Sequence, residues 1–241
     1  MPLRMDETAA LVATLAGIVA DNGPTSPRRI GEACVAALPV DGAAITVMVR
    51  PDRQEPVWVS DDEAGRLQEL QFSLGEGPCV EAVTERRPVL VPDLRAAGGD
   101  RWPVFAAAAR RTSTRAVFAL PLQAGAICVG VLDLYRREPG MLGPTDLAGA
   151  LRGADAALWS LLGLRSDGKD GTGEDAWLAG APLRHTEVYQ ATGMVMVQLG
   201  VTPEVALSRL RAFAFVRDRA IDEVARDVVS RRLRFDEEER G

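Results

Sequence analysis

Apolar residues recur at three- and four-residue steps through the last sixty positions of the chain. Val188, Ala191, Val195 and Leu199 form one stripe at helical period. Gly200 ends it, and Thr202 followed by Pro203 supplies an N-cap and first-turn pair for a second helix. Ala206, Leu210, Phe213 and Ala214 mark that helix, and Ile221, Val224, Ala225, Val228 and Val229 mark a third. Each is near or below the length at which an isolated helix survives in water, so the three must share one small core. The rest of the chain mixes periods. Helical patterns over 6–21 and 26–38 precede a β-branched strand at 42–50 and a second strand at 56–60, an antiparallel pair. Helices at about 61–71 and 78–86, the short strand of RPVLVPDL, and a helix around 101–111 come next. Strands at 115–122 and 126–136 join across Ala124-Gly125, and a last helix covers about 145–165. Helices mixed with hairpin-connected strands predict an α+β sandwich around an antiparallel sheet, followed by an all-α three-helix unit.

The C-terminal spacing resembles the ANTAR domain, a three-helix module of bacterial transcription antitermination regulators. The resemblance rests on Gln190-Ala191-x-Gly193, Glu204-x-Ala206, Leu210-Arg211-x-x-Ala214, Asp222-x-Val224-Ala225 and Val228-Val229. It covers about 182–235. Two positions depart from the family pattern: Thr192 stands where a lysine is usual, and His185 where a basic residue, often arginine, is usual. The preceding part, about 5–165, resembles a GAF domain, a small-molecule-sensing and dimerising module. Gly75-Glu76-Gly77-Pro78-Cys79, Pro88 through Leu94, Arg101-Trp102-Pro103, Pro121-Leu122 and Gly130 through Tyr135 carry that resemblance. Together they imply a sensor joined to an effector that binds RNA stem-loops in leader transcripts.

Charge alters this picture only locally. Net charge is −6, against indiscriminate nucleic-acid binding. Residues 1–165 hold 17 Arg against 20 acids, whereas 182–235 hold 9 Arg against 6 acids. Between them, 166–181 reads SDGKDGTGEDAWLAGA, a flexible acidic, glycine-rich linker by composition. Lys169 is the one lysine among 28 basic residues, a bias that a GC-rich genome explains better than phosphate recognition does. No apolar run reaches membrane-spanning length and no signal peptide is visible, so a cytoplasmic protein is expected. Cys34, Cys79 and Cys128 show no metal-ligand spacing.

For RNA the candidates are Arg184, His185, Gln190 and Thr192 on the first helix, with Arg209, Arg211, Arg217 and Arg219 around the second. His185, the sole histidine, reads either as a solvated imidazole or as a pH-dependent RNA contact. Ala191, Gly193, Ala206, Leu210, Ala214, Val224, Ala225 and Val228 are expected to pack the helices. Gly193 would do so by letting another helix approach closely. In the sensor, Cys79 follows Gly77-Pro78 at a helix start, where a thiol either fills the turn or, with lowered pKa, senses oxidants. No histidine lies in residues 1–165, which removes histidine-ligated haem, and no metal site is expected. No nucleophile–base constellation occurs, so no enzyme is expected; the sensor's ligand is a small organic molecule or a redox signal.

Leu147, Leu151, Ala154, Leu158 and Leu161 repeat at heptad-like steps, and Leu11, Leu15 and Ile18 match them. These stripes predict a homodimer through residues 6–20 and 145–164, unless they cover the sheet of their own domain. The main rival function is a regulatory protein-interaction module that has lost RNA binding. DNA recognition fits less well, because the third helix mixes Asp222, Glu223 and Asp227 with its arginines.

Overall fold

The computed structural model describes residues 5–50, 53–96, 101–166 and 184–235. The sensor part comprises α1 (Met5–Asp21), α2 (Ser26–Ala37), β1 (Gly42–Arg50), β2 (Arg53–Val59), α3 (Asp62–Leu74) and α4 (Pro78–Glu85). It continues with β3 (Val89–Val91), α5 (Pro103–Ala109), β4 (Ala116–Ala124), β5 (Ile127–Arg136) and α6 (Pro144–Ser166). The five strands form one sheet in the order β2-β1-β5-β4-β3, every neighbouring pair antiparallel.

Strand alternation sends side chains to two cores. Ile45, Val47, Phe118, Leu120, Leu132 and Leu134 point to the face covered by α1, α2 and α6. Ala44, Val117, Ala119, Val131 and Tyr135 point to the opposite face, under α3, α4 and α5. The fold is therefore the helix–sheet–helix sandwich of a GAF domain. Gly75, with φ of 68°, closes α3 in the left-handed region, and its N–H donates to the Gln71 carbonyl. The adjoining Glu76 carboxylate accepts the backbone N–H groups of Val104 and Phe105, so the glycine-rich motif is a turn that caps α5.

One expectation about this part is corrected. Leu11, Leu15, Ile18, Ala154, Leu158 and Leu161 are all buried in the sensor's own core, because α1 folds back onto α6 and α2. The stripes read as a dimer seam are used within the chain instead: α6 covers the sheet, and α1 packs on α6 and α2. Leu147 packs partly against that core, and Leu151 is left 39% exposed. The acidic linker falls on residues outside those described.

Three helices follow: α7 (Thr186–Leu199), α8 (Pro203–Val216) and α9 (Ile221–Val229). Gly200 caps α7 at φ 64° and Pro203 opens α8. Ala191, Val195, Ala206, Leu207, Leu210, Ala214, Val224, Ala225 and Val228 are all buried in their common core. Phe235 closes it, packing edge-on to Phe213 while its N–H donates to Gln198. Gly193 takes no part: it is exposed, and apart from its chain neighbours and the adjoining backbone of its own helix nothing lies within 4 Å of where its Cβ would stand. The expected close helix approach is absent there.

Candidate nucleic-acid interface

The three-helix core contains one residue from the sensor, Phe72 at the end of α3. Around it the two parts of the chain interlock. The His185 ring stacks on Phe72 with centroids 3.5 Å apart and planes 13° from parallel. Tyr189 meets Phe72 edge-on at 6.1 Å, and the Arg211 guanidinium lies 5.4 Å from the same ring. The Tyr189 hydroxyl donates to the Gln54 carbonyl at 2.6 Å and accepts the Gln54 N–H at 3.0 Å. Those backbone groups belong to β2, the edge strand, so a helix side chain covers an edge left open by the sheet. The Arg184 N–H donates to the buried Glu55 carboxylate at 3.1 Å.

Electrostatics follow from this burial. Desolvation, with Arg184 and Arg211 nearby, pushes the His185 pKa down to about 4. The imidazole is therefore neutral at neutral pH, and its Nδ1 has no hydrogen-bond partner. Burial lowers Arg211 to about 10, which leaves it charged. Burial raises Glu55, an effect partly offset by N–H groups of Arg184 and His185.

The eight RNA candidates are thus dispersed. Arg184, Gln190, Arg209 and Arg217 are exposed, with Arg217 resting over the Phe213 ring at 5.2 Å. Arg219 is committed to Asp227 at 2.7 Å and Glu223 at 3.7 Å. Arg211 is half-buried against the sensor. Two expectations are corrected. His185 is 3% exposed and stacked between domains, neither solvated nor free to meet RNA. Thr192 is 4% exposed, and its hydroxyl donates to the Val188 carbonyl one turn back, so it faces inward. Sequence reading missed Phe72, Tyr189, Gln54 and Glu55; the aromatic Phe72 immediately before the helix-ending Ser73-Leu74 was the available signal.

Cys79 is also corrected. Its side chain points into the sensor core, 1% exposed, and burial beside Asp133 raises the thiol well above its ordinary range. An exposed, low-pKa thiolate is what a sensing cysteine requires, and this thiol has neither property. Its backbone N–H donates to Gln71 at 2.6 Å. Nearby, Thr46 donates to Gln68, which donates to Asp133, and burial pushes Asp133 up to about 6. The void beside this cluster is about 10 Å³, space for one water. A ligand there needs the core to open. Among the described residues no group of His, Cys, Asp and Glu is placed to hold a metal, and no helix is long and apolar enough to cross a membrane.

Comparison with known proteins agrees with this architecture. The GAF domain model matches residues 25–150 and the ANTAR domain model residues 178–229. Among solved structures, the GAF domain of a phosphoenolpyruvate-protein phosphotransferase from Coxiella burnetii is similar with a TM-score of 0.52 and 14% identity. That likeness covers 67% of this chain and 98% of that one. The free methionine-R-sulfoxide reductase from Neisseria meningitidis gives a TM-score of 0.47 and 17% identity over 69% of this chain and 96% of that one. At 14% identity the first of these likenesses is one of fold alone. No curated protein matches the chain.

Proposed function

The chain belongs to the GAF-domain family and carries a C-terminal ANTAR domain, and from that premise we propose a signal-responsive, RNA-binding regulator of transcription antitermination. The sensor holds the three-helix module through Phe72, and a signal received by the sensor releases it to bind leader stem-loops. The observation that carries this reading is the junction itself: His185 and Arg211, both at positions expected to face RNA, are covered by the sensor. Arg184, Gln190, Arg209 and Arg217 stay at the surface. In the released state Arg211 joins these arginines to meet phosphates, while unpaired loop bases supply specificity through stacking and edge contacts. Buried His185 and Thr192 favour one rival, an interaction module without RNA affinity.

A salt-titrated binding assay with stem-loop leader RNA separates the two. The proposal expects preference over scrambled loops and an affinity that falls as salt rises. Equal affinity for scrambled loops at every salt concentration supports the interaction module.

Homodimerisation is part of the same proposal. Because the inward stripes of α1 and α6 are buried, the contact falls to their outer surfaces, where Val12, Leu151 and Trp159 remain exposed. Leu151→Glu with Trp159→Glu should sediment as a folded monomer; an intact dimer rules that surface out.

A further inference from the structure

Between the sensor and the three-helix module lies a cleft of about 660 Å³. Its sensor wall comes from Leu70 and Leu74 of α3 with Val104 and Ala107 of α5, and its opposite wall from Arg211 and Phe215 of α8. The cleft is distinct from the sensor interior around Asp133, which is closed to anything larger than water. Two features are unusual for a surface that meets only solvent. Phe215 is 60% exposed on one wall, an aromatic face without cover. Arg211 lines the cleft with no carboxylate paired to it among the described residues, and its Nε has no hydrogen-bond partner.

A half-buried guanidinium with no carboxylate partner among the described residues bears a desolvation cost that its contact with the Phe72 ring offsets only in part. Its position is fixed: the side chain runs along Gly75, where a Cβ would stand 2.8 Å from Nη1. Any larger residue at position 75 would displace the guanidinium. At the rim, Arg111 appears in no ion pair among the described residues and adds a second unpaired guanidinium against the carboxylate of Asp218, while Arg219 is already held by Asp227 and Glu223. The walls are mainly apolar and the fixed charge is positive, so charge and surface together select an anion with an apolar body. The planar guanidinium fork matches a carboxylate in particular.

We infer that this cleft is a binding site for a small amphipathic carboxylate, with Arg211 receiving the carboxylate and Leu74, Val104 and Phe215 covering the apolar body. A body of roughly eight to twelve carbons suits a cleft within the usual size range of small-molecule sites. Both walls exist together only while the domains are docked, so occupancy favours the docked arrangement. The ligand then acts as a co-repressor. That consequence rests on the RNA-binding reading, whereas binding to the cleft does not.

The test is isothermal titration of the full chain, without RNA, using octanoate, octanamide and inorganic phosphate as probes. Wild type is compared with Arg211→Met, which keeps an unbranched apolar side chain but removes the charge. A second variant, Ala107→Trp, fills the cleft from an exposed position on α5. Circular dichroism establishes that each variant is folded. The inference expects saturable octanoate binding to wild type, weakened at least tenfold in both variants. It also expects octanamide and phosphate to bind at least tenfold more weakly than octanoate. Absence of saturable octanoate binding, equal binding of octanamide or phosphate, or unchanged octanoate affinity in either folded variant overturns it. Failure of RNA binding would leave the result of this titration standing.

Discussion

Within the three-helix module the core is made mainly of valine, alanine and leucine at helical spacing, with Ile221 and Phe235, all buried and all uncharged. Its junction with the sensor is made of Phe72, His185, Tyr189 and Arg211, which are aromatic, titratable or charged. Both exclude water, but by different means. The core relies on area buried, which depends little on pH or on a partner's presence. The junction relies on a few stacked and hydrogen-bonded groups, two of which, His185 and Arg211, have an unmet polar atom. Removing a single group therefore unbalances it. A module with a robust core and a conditional junction can detach without unfolding, which is what a regulated effector needs.

The largest expected effect comes from removing the residue that belongs to both regions. Phe72→Ala should cost about 3–5 kcal/mol, the usual range for a buried phenylalanine. The cost falls on docking, so denaturant unfolding should separate into two transitions, one for each domain. A single transition retained in that variant would mean that other contacts hold the domains together. Next, Leu210→Ala opens a cavity inside the module and should cost about 2–5 kcal/mol. Here helical circular dichroism should be lost from the module while the sensor's transition stays in place.

The third effect is pH-dependent. His185 sits at about 4 when folded against an ordinary value of 6.5. Because the folded value is the lower one, its contribution is complete above pH 6.5 and is lost as pH falls toward 4. The shift corresponds to about 3 kcal/mol. Asp133 has the opposite sign: burial lifts it to about 6 from 3.8. Its cost is therefore full above pH 6 and is relieved as pH falls to 3.8. The two oppose each other across the same window. Stability measured from pH 7 to 4 in Asp133→Asn should decline, and the further change His185→Phe should flatten that decline. A decline of equal size in both would place the titration elsewhere. The smallest effect is Gly193→Ala. With no neighbour to meet and a helix-favouring residue introduced, it should stabilise the module by about 1 kcal/mol. A loss in thermal unfolding would restore a packing role to this glycine.

The same contrast explains what the sequence disclosed. The core stripes and the strand alternation were legible because period and burial coincide within one element: Val188, Ala191 and Val195 announce their own helix face. Junction residues carry no such signal. His185 lies between Arg184 and Thr186, and no local pattern tells which polar side of a helix a second domain will cover; Thr192, by contrast, stands four residues after Val188 and three before Val195, on the apolar stripe itself. The spacing ended α3 near residue 71, whereas the helix runs to Leu74 and carries Phe72 into the other core. The stripes of α1 and α6 were read correctly as apolar and wrongly as intermolecular, since periodicity shows that a face is covered without showing by what. Cys79 illustrates the same gap: its place in a first turn was visible, its inward direction was not.

The most direct test of the conditional junction uses a leader stem-loop recovered with the protein from its host and compares its affinity for wild type and Phe72→Ala. If docking covers the RNA surface, apparent affinity is reduced by the fraction of molecules that are open. The account predicts at least tenfold tighter binding by Phe72→Ala, with a steeper salt dependence as Arg211 becomes available. Equal affinity and equal salt dependence for the two proteins would contradict it.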